Sequence, residues 1–349
     1  MDRARHDAAE TPGARLSAGA GPAADPRVPV TLLTGFLGAG KTTLLNRLLS
    51  EEHGLRCAVV VNEYGDVGVD GSLVVGSRDE LVELANGCLC CTVRGDLLDT
   101  LVHLVKRRRK LLGGTRFDRI LVEASGLASP GPACDTLRLP ELLPVVRQDA
   151  VVTLVHAAEI ARQVQEHPEA GEQLAYADRV VLNHLDRCDD AARAAAEEVV
   201  RRCAPDAPCF HAVRADVPLT ELLDVERGDP DAAPGDAPGA APGEHVHVAH
   251  TSGVESFALE ADAPLDFQKL KMWLGFLGQR RGQDLMRAKG FVHCVDRDDA
   301  VLVQVVSRWL EVGPVAGREP PPRSTLVLIG RHLDRDEIER GWLACRADA

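Results

Sequence analysis

Residues 28–49 read Val-Pro-Val-Thr-Leu-Leu-Thr-Gly-Phe-Leu-Gly-Ala-Gly-Lys-Thr-Thr-Leu-Leu-Asn-Arg-Leu-Leu, and this stretch decides the fold. An apolar run of strand length leads into Gly35-Phe36-Leu37-Gly38-Ala39-Gly40-Lys41-Thr42, a complete G-x-x-x-x-G-K-S/T phosphate-binding loop, and a helical pattern follows from Thr43. The strand–loop–helix setting is what separates such a loop from a chance match. Gly35, Gly38 and Gly40 let the backbone curl around a phosphate, so that its N–H groups, those of Ala39 and Thr43 among them, face the anion at a positive helix N-terminus. Lys41 is placed to reach the β and γ phosphates, and Thr42 to ligate Mg²⁺. The chain writes 34 of its cations as Arg and 6 as Lys, yet keeps Lys here, where a slim point charge suits the loop. The stretch therefore predicts binding of a nucleoside triphosphate.

The chain has 349 residues, of which 45% are hydrophobic, enough for about two domains with a core each. A net charge of −13 argues against a nucleic-acid partner, which would need a basic face. The basic run Lys106-Arg107-Arg108-Arg109-Lys110 ends a helical pattern; it either complements the helix dipole there or offers a patch to an acidic partner. No apolar run reaches membrane-spanning length, and residues 1–27 are rich in Ala, Pro, Gly and charge without a signal-peptide pattern. The expectation is a disordered leader on a cytoplasmic protein with no membrane partner, its ten Cys held as thiols or metal ligands.

Downstream, apolar segments near 58–61, 120–122, 151–155, 179–182 and 209–213 alternate with helical patterns at 96–109 and 190–202. Short, nearly continuous hydrophobic strands alternating with helices predict an α/β fold, a doubly wound, mostly parallel sheet buried on both faces. Residues 28–227 thus read as a P-loop NTPase core. Residues 228–249 have the Asp/Ala/Pro/Gly composition of a linker. Beyond them, strands near 254–259, 291–295, 300–306 and 325–329 and helices at 266–276 and 334–343 predict a smaller C-terminal α+β domain over 250–345.

Other motifs carry chemistry. Ile120-Leu121-Val122-Glu123-Ala124-Ser125-Gly126 has the form of a strand delivering an acid and then a glycine to the γ-phosphate edge. Glu123 there can act on Mg²⁺ through water or orient the attacking water, and the Gly126 N–H can sense the γ-phosphate, so Lys41, Thr42 and Glu123 form the candidate catalytic set. Asn183-His184-Leu185-Asp186 approximates the N-K-x-D signature that reads guanine, with the Asp186 carboxylate accepting from N1–H and the exocyclic amine, and His184 able to stack where a Lys stem lies. Gly87-Cys88-Leu89-Cys90-Cys91-Thr92 packs three thiols into four positions. A soft cation would hold them as thiolates, Zn²⁺ first and Co²⁺ or Fe²⁺ with similar donors; inert thiols and a disulfide switch are the alternatives. Asn62-Glu63-Tyr64-Gly65-Asp66 follows a strand on the nucleotide side, which makes Glu63 either a metal ligand or a γ-phosphate sensor.

Together, G-F-L-G-A-G-K-T-T-L-L-N, N-E-Y-G-D-V-G-V-D, N-G-C-L-C-C-T-V-R-G-D-L, E-A-S-G-L-A-S-P, E-Q-L-A-Y-A-D-R and the R-A-K-G segment at 287–290 closely resemble the CobW-type metallochaperone GTPases over about residues 28–345. The resemblance implies slow GTP hydrolysis coupled to binding and delivery of a transition metal, chiefly zinc or cobalt, to a client metalloprotein. It implies metal at Cys88, Cys90 and Cys91, phosphate and Mg²⁺ at Lys41 and Thr42, base reading by Asn183 and Asp186, and a C-terminal CobW domain. A homodimer is one assembly left open. Three departures stand out: His184 replaces a Lys, His156 replaces an Asp usual after its strand, and the linker keeps only His245, His247 and His250 of a longer His-rich tract. His245 and His247 would share a face of a strand, as metal ligands or as isolated surface residues. Two competing functions are a nucleotide-binding zinc or redox sensor with little turnover and a P-loop small-molecule kinase; Asn183 and Asp186 speak against the kinase.

Overall fold

Val28–Thr34 forms β1, buried almost throughout and flanked by two parallel neighbours, β4 (Arg119–Glu123) and β5 (Val146–His156). The computed structural model describes residues 25–51, 54–61, 80–83, 93–108, 117–223, 253–282, 284–306 and 309–348, with the backbone alone at 80–83 and 93–96. Beyond β4 lie β2 (Cys57–Val61) and β3 (Glu80–Glu83); beyond β5 lie β6 (Arg179–Asn183) and β7 (Cys209–His211). The seven strands run in the order β3-β2-β4-β1-β5-β6-β7, and every pairing is parallel. The continuous apolar reading of β2 and β4 has its cause here, since all five residues of each are buried between helical layers.

Alternation along β1 sends side chains to both layers. Leu33 packs with Leu44, Leu45 and Leu48 of α1 (Lys41–Ser50), while Val30 and Leu32 pack with Leu97, Leu101 and Leu104 of α2 (Val93–Arg108). The basic run ends α2: Lys106, Arg107 and Arg108 form its last turn, where Arg108 Nε donates to the Phe117 carbonyl at 2.9 Å, and Arg109 and Lys110 lie outside the described residues. The remaining helices of this unit are α3 (Gly131–Leu137), α4 (Ile160–Glu166), α5 (Pro168–Ala175) and α6 (Asp190–Cys203). Because the strands are parallel, their C-terminal ends gather on one edge; register sets Leu33 opposite Glu123 and His156 opposite Asn183.

The second sheet has five antiparallel strands in the order β11-β10-β9-β12-β8: β8 (Val254–Ala261), β9 (Leu285–Val292), β10 (Val301–Val306), β11 (Trp309–Pro314) and β12 (Ser324–Arg331). One face is covered by α7 (Phe267–Arg281) and α8 (Arg335–Leu343), through Leu270, Leu274, Leu277, Ile338 and Trp342. Asp266 and Asp334 cap these helices, accepting from backbone N–H groups at 2.8–3.0 Å, which stabilises each by about 1 kcal/mol. From the other face Val254, Met286, Val306 and Ile329 join the core of the parallel unit beside Cys134, Leu137 and Tyr176. Polar contacts cross the same junction: Arg287 pairs with Asp178 and donates to the Tyr176 carbonyl at 3.1 Å, Ser256 Oγ donates to the Arg202 carbonyl at 2.6 Å, and Arg331 pairs with Glu172 at 2.6 Å. Burial alone would raise the Asp178 carboxyl, but Arg287 and Lys289 beside it hold it below the usual carboxylate range.

The alternation of strands and helices is as expected from the sequence, with differences: β5 starts at Val146 rather than near 151, and α3, α4 and α5 add to the helices expected. β9 starts at Leu285 rather than near 291, with Arg287 of its first half paired to the buried Asp178. β3 and β11 are short or amphipathic edge strands that hydropathy passes over. β7 stops at His211 because Arg214 and Ala215 take positive φ, 54° and 57°, turning the chain back toward the site. Among the described residues no helix is long and apolar enough to cross a membrane.

Candidate nucleotide site

The phosphate-binding loop joins β1 to α1. Gly40 is the N-cap of α1, with φ 103° and ψ 24°, and a Cβ there would sit 2.5 Å from the Asn183 Nδ2. Both the left-handed backbone and the closeness of Asn183 require glycine. The helix therefore begins at Lys41 with free N–H groups and no acidic residue in its first turn, which is the arrangement an anion needs. Lys41 Nζ donates to the carbonyls of Gly35 at 2.9 Å and Phe36 at 3.4 Å, so the ammonium lies folded across the loop it serves. Burial lowers its pKa, and Glu123 acts in the opposite direction by favouring the charged form.

Thr42 Oγ1 donates to Glu123 Oε1 at 3.0 Å, joining the first turn of α1 to the end of β4. A hydroxyl and a buried carboxylate at this separation are hard oxygen donors, and this pair fits Mg²⁺ better than a softer ion. The chain after Glu123 then closes on the loop. A Cβ on Gly126 would lie 2.6 Å from Leu37 Cδ2 and 3.0 Å from the Leu37 N, so a larger residue would have to push the Leu37 side chain and its backbone aside. Gln173, buried on α5, donates from Nε2 to the carbonyls of Gly126 and Ala128, both at 3.1 Å. Sequence reasoning missed Gln173 as a site residue, although it lies within the E-Q-L-A-Y-A-D-R segment; its signal is a buried carboxamide on an apolar helix.

At the other end of the site, Asn183 is fully buried and spent on backbone. Its Nδ2 donates to the Ala39 carbonyl at 2.9 Å and its Oδ1 accepts from the Ala215 N–H at 2.8 Å, bracing the loop against the turn after β7. His184 follows in the left-handed conformation, with Nε2 3.2 Å from the Gly38 carbonyl and its ring stacked on His156. Asp186 is exposed in the short 3₁₀ turn Leu185–Arg187. The structure thus brings Gly35, Gly38, Ala39, Gly40, Lys41, Thr42, Thr43, Glu123, Gly126, Asn183 and His184 around one loop, with Asp186 at its rim. Glu63, Cys88, Cys90, Cys91, His245, His247 and His250 lie outside the described residues, and no group of three metal-ligating side chains occurs among the described ones.

A glycine-braced loop capping a helix, its lysine, and a hydroxyl–carboxylate pair joining the first turn of that helix to the end of the adjacent parallel strand define the P-loop nucleotide-binding class. Residues 29–211 match the CobW/HypB/UreG nucleotide-binding domain and residues 254–346 the cobalamin synthesis protein cobW C-terminal domain. The chain belongs to this family of P-loop GTPases. It is 32% identical over 326 residues to the zinc chaperone YjiA of Escherichia coli, covering 91% of this chain and 99% of the relative. It is 33% identical over 360 residues to the zinc chaperone CobW of Pseudomonas aeruginosa, covering 89% and 90%. The crystal structure of the Zn(II)-bound YjiA GTPase from E. coli superposes with a TM-score of 0.70 at 29% identity, over 92% of this chain and 99% of that one.

Proposed function

We propose that this chain is a GTP-hydrolysing metallochaperone that takes a transition metal, zinc first, at Cys88, Cys90 and Cys91 and passes it to a client metalloprotein according to its nucleotide state. The observation that carries the reading is the junction of Thr42, Glu123 and Gly126 at the phosphate edge: the acid joined to the phosphate-binding helix at 3.0 Å, followed at once by a segment tied to α5 through Gln173. In hydrolysis Lys41 neutralises charge on the β and γ phosphates, Glu123 orients the attacking water, and the Gly126 N–H contacts the γ-phosphate. Thr42 and Glu123 would hold Mg²⁺, which would supply neutralisation of the charge that develops on the phosphates. Asp186 reads the guanine edge, while Asn183 supports it by fixing the loops on either side.

The thiol cluster falls, in sequence, between β3 and α2, and β3 reaches Glu123 through β2 and β4 in the same sheet. A shift at the γ-phosphate edge therefore has a path to the strand that precedes the thiol cluster in sequence. It also has a path to the C-terminal domain, which we place at 250–345 behind a linker at 228–249: Gln173 lies on α5, whose Glu172 holds Arg331. Coupling of this kind is reciprocal.

The test is a zinc titration against a competing chelator with a GTP analogue, with GDP and without nucleotide, on the wild type and on Cys90→Ser/Cys91→Ser. A roughly tenfold change in zinc affinity between nucleotide states, about 1.4 kcal/mol, is expected, with an equal effect of zinc on nucleotide affinity. Proton release on binding should make the affinity fall as pH drops, since the thiols must ionise. Equal affinity in all states would leave a nucleotide-binding zinc protein without transfer, and unchanged affinity in the Cys variant would refute the site.

A further inference from the structure

Two of the residues that depart from the family pattern touch one another. His156 closes β5 and His184 leaves β6, and their rings stack with centroids 4.3 Å apart and planes inclined by 21°. The contact follows from the register, which sets His156 opposite Asn183, and from the backbone of the next residue: His184 at φ 62°, ψ 35° turns its side chain back over the phosphate-binding loop. There Nε2 lies 3.2 Å from the Gly38 carbonyl. The carbonyl can only accept, so Nε2 carries the hydrogen. The His156 Nδ1 is buried and has no hydrogen-bond partner on another segment among the described residues, so the stack is the contact that ties the ring to the end of β6. An Asp and a Lys at these two positions would meet as opposite charges; two rings meet by stacking, which requires no charge.

We infer that His156 and His184 are one positioning unit at the base end of the nucleotide site: His156 holds the His184 ring in place, and His184 anchors the loop through the Gly38 carbonyl and offers the ring a base can lie against. Among the described residues neither ring is hydrogen-bonded to Lys41, Thr42 or Glu123, and the one contact with the phosphate-binding loop is to the Gly38 backbone, so the unit is expected to set nucleotide affinity rather than the chemical step. The inference rests on the nucleotide-site reading above and adds two residues to it. The surroundings of His156 suit this work: burial first, then His184 and Arg187, push its pKa below the usual value against the opposing pull of Glu159, so the ring stays neutral in the stack.

A double-mutant cycle tests it, reading the affinity of a fluorescent GDP analogue for the full-length protein. His156→Ala and His184→Ala are each expected to weaken binding about tenfold, and the double variant also about tenfold rather than a hundredfold, because the second loss removes nothing once the unit is broken. His156→Phe keeps a ring in the stack and should bind within about threefold of wild type. In GTP hydrolysis the alanine variants should show a raised KM with kcat changed by less than about twofold. Unfolding midpoints accompany each variant, and His184→Leu, similar in size but without a donor, replaces the alanine if that one does not fold. Losses that multiply, a His156→Ala variant with wild-type affinity, or a His156→Phe variant as weak as the alanine would overturn the proposal. Failure of guanine reading is distinguished by Asp186→Asn: if that variant keeps the wild-type preference for GDP over ADP, the base reading is wrong, while the cycle still reports on the histidine pair.

Discussion

The two ends of the nucleotide site are built on different terms. At the phosphate end, all participants but Gln173 belong to a short contiguous motif or to the chain leaving the adjacent strand, and local backbone does most of the work: Gly40 in a left-handed conformation, a helix N-terminus, Lys41 folded onto its own loop, Thr42 on Glu123. At the base end, three separate loops meet, and side chains hold them together: Asn183 ties Ala39 to Ala215, and His184 ties Gly38 to His156. An end made from local backbone geometry tolerates little substitution and keeps its motif. An end made from side chains of distant loops can exchange one complementary pair for another, and here an imidazole stack stands at the Asp and Lys positions of the family pattern.

Four measurements would break or sharpen that contrast. The largest effect is expected at Lys41→Ala, which should lower GTP hydrolysis by about a thousandfold or more, roughly 4 kcal/mol, while the unfolding midpoint moves little because Lys41 belongs to no hydrophobic cluster. Single-turnover hydrolysis near the wild-type rate would remove the loop from catalysis. Glu123→Gln comes next: it keeps the Thr42 hydrogen bond but loses the charge, and should cost about a hundredfold in kcat, about 2.7 kcal/mol, with GDP affinity nearly unchanged. A variant that instead loses GDP binding would show that the carboxylate serves structure. The base end should yield smaller numbers. Competition binding should favour GTP over ATP, and Asp186→Asn should cut that preference by about 1–3 kcal/mol; equal affinity of the wild type for both nucleotides would end the guanine assignment.

The smallest effect is a pH dependence. The folded-state pKa of His156 lies below its unfolded value of 6.5, so the unfolded chain takes the proton first, and stability contributed by the neutral stack is intact above that value and lost as pH falls below it. The ring is partly exposed, so the difference in unfolding midpoint between wild type and His156→Phe should move by no more than about 2 °C between roughly pH 7 and pH 5.5. A difference that stays flat across that range would show that the ring takes up a proton as readily in the stack as in the unfolded chain.

Much of this protein was settled by its linear order. A strand, a glycine-rich turn and a helix in immediate succession specify their own geometry, and five more apolar segments alternating with helices admit few arrangements other than a parallel sheet with its strand ends on one edge. The family, the geometry of the phosphate-binding loop and the placing of Glu123 follow from that order. The joining of residues far apart in the chain was decided only by the tertiary structure. Arg287 and Lys289 precede the strand expected near 291 and lie instead in the middle of β9, where Asp178, more than 100 residues earlier, supplies the opposite charge. Gln173 looks like one polar residue on a short helix until its carboxamide meets Gly126 and Ala128. His156 and His184 read as two unrelated departures, and the pairing of β5 with β6 makes them a single contact. Local backbone preference and hydrophobic period are written in neighbouring residues; the partner of a buried charge, amide or ring is fixed only when the register of the sheet and the docking of its helices bring distant segments together.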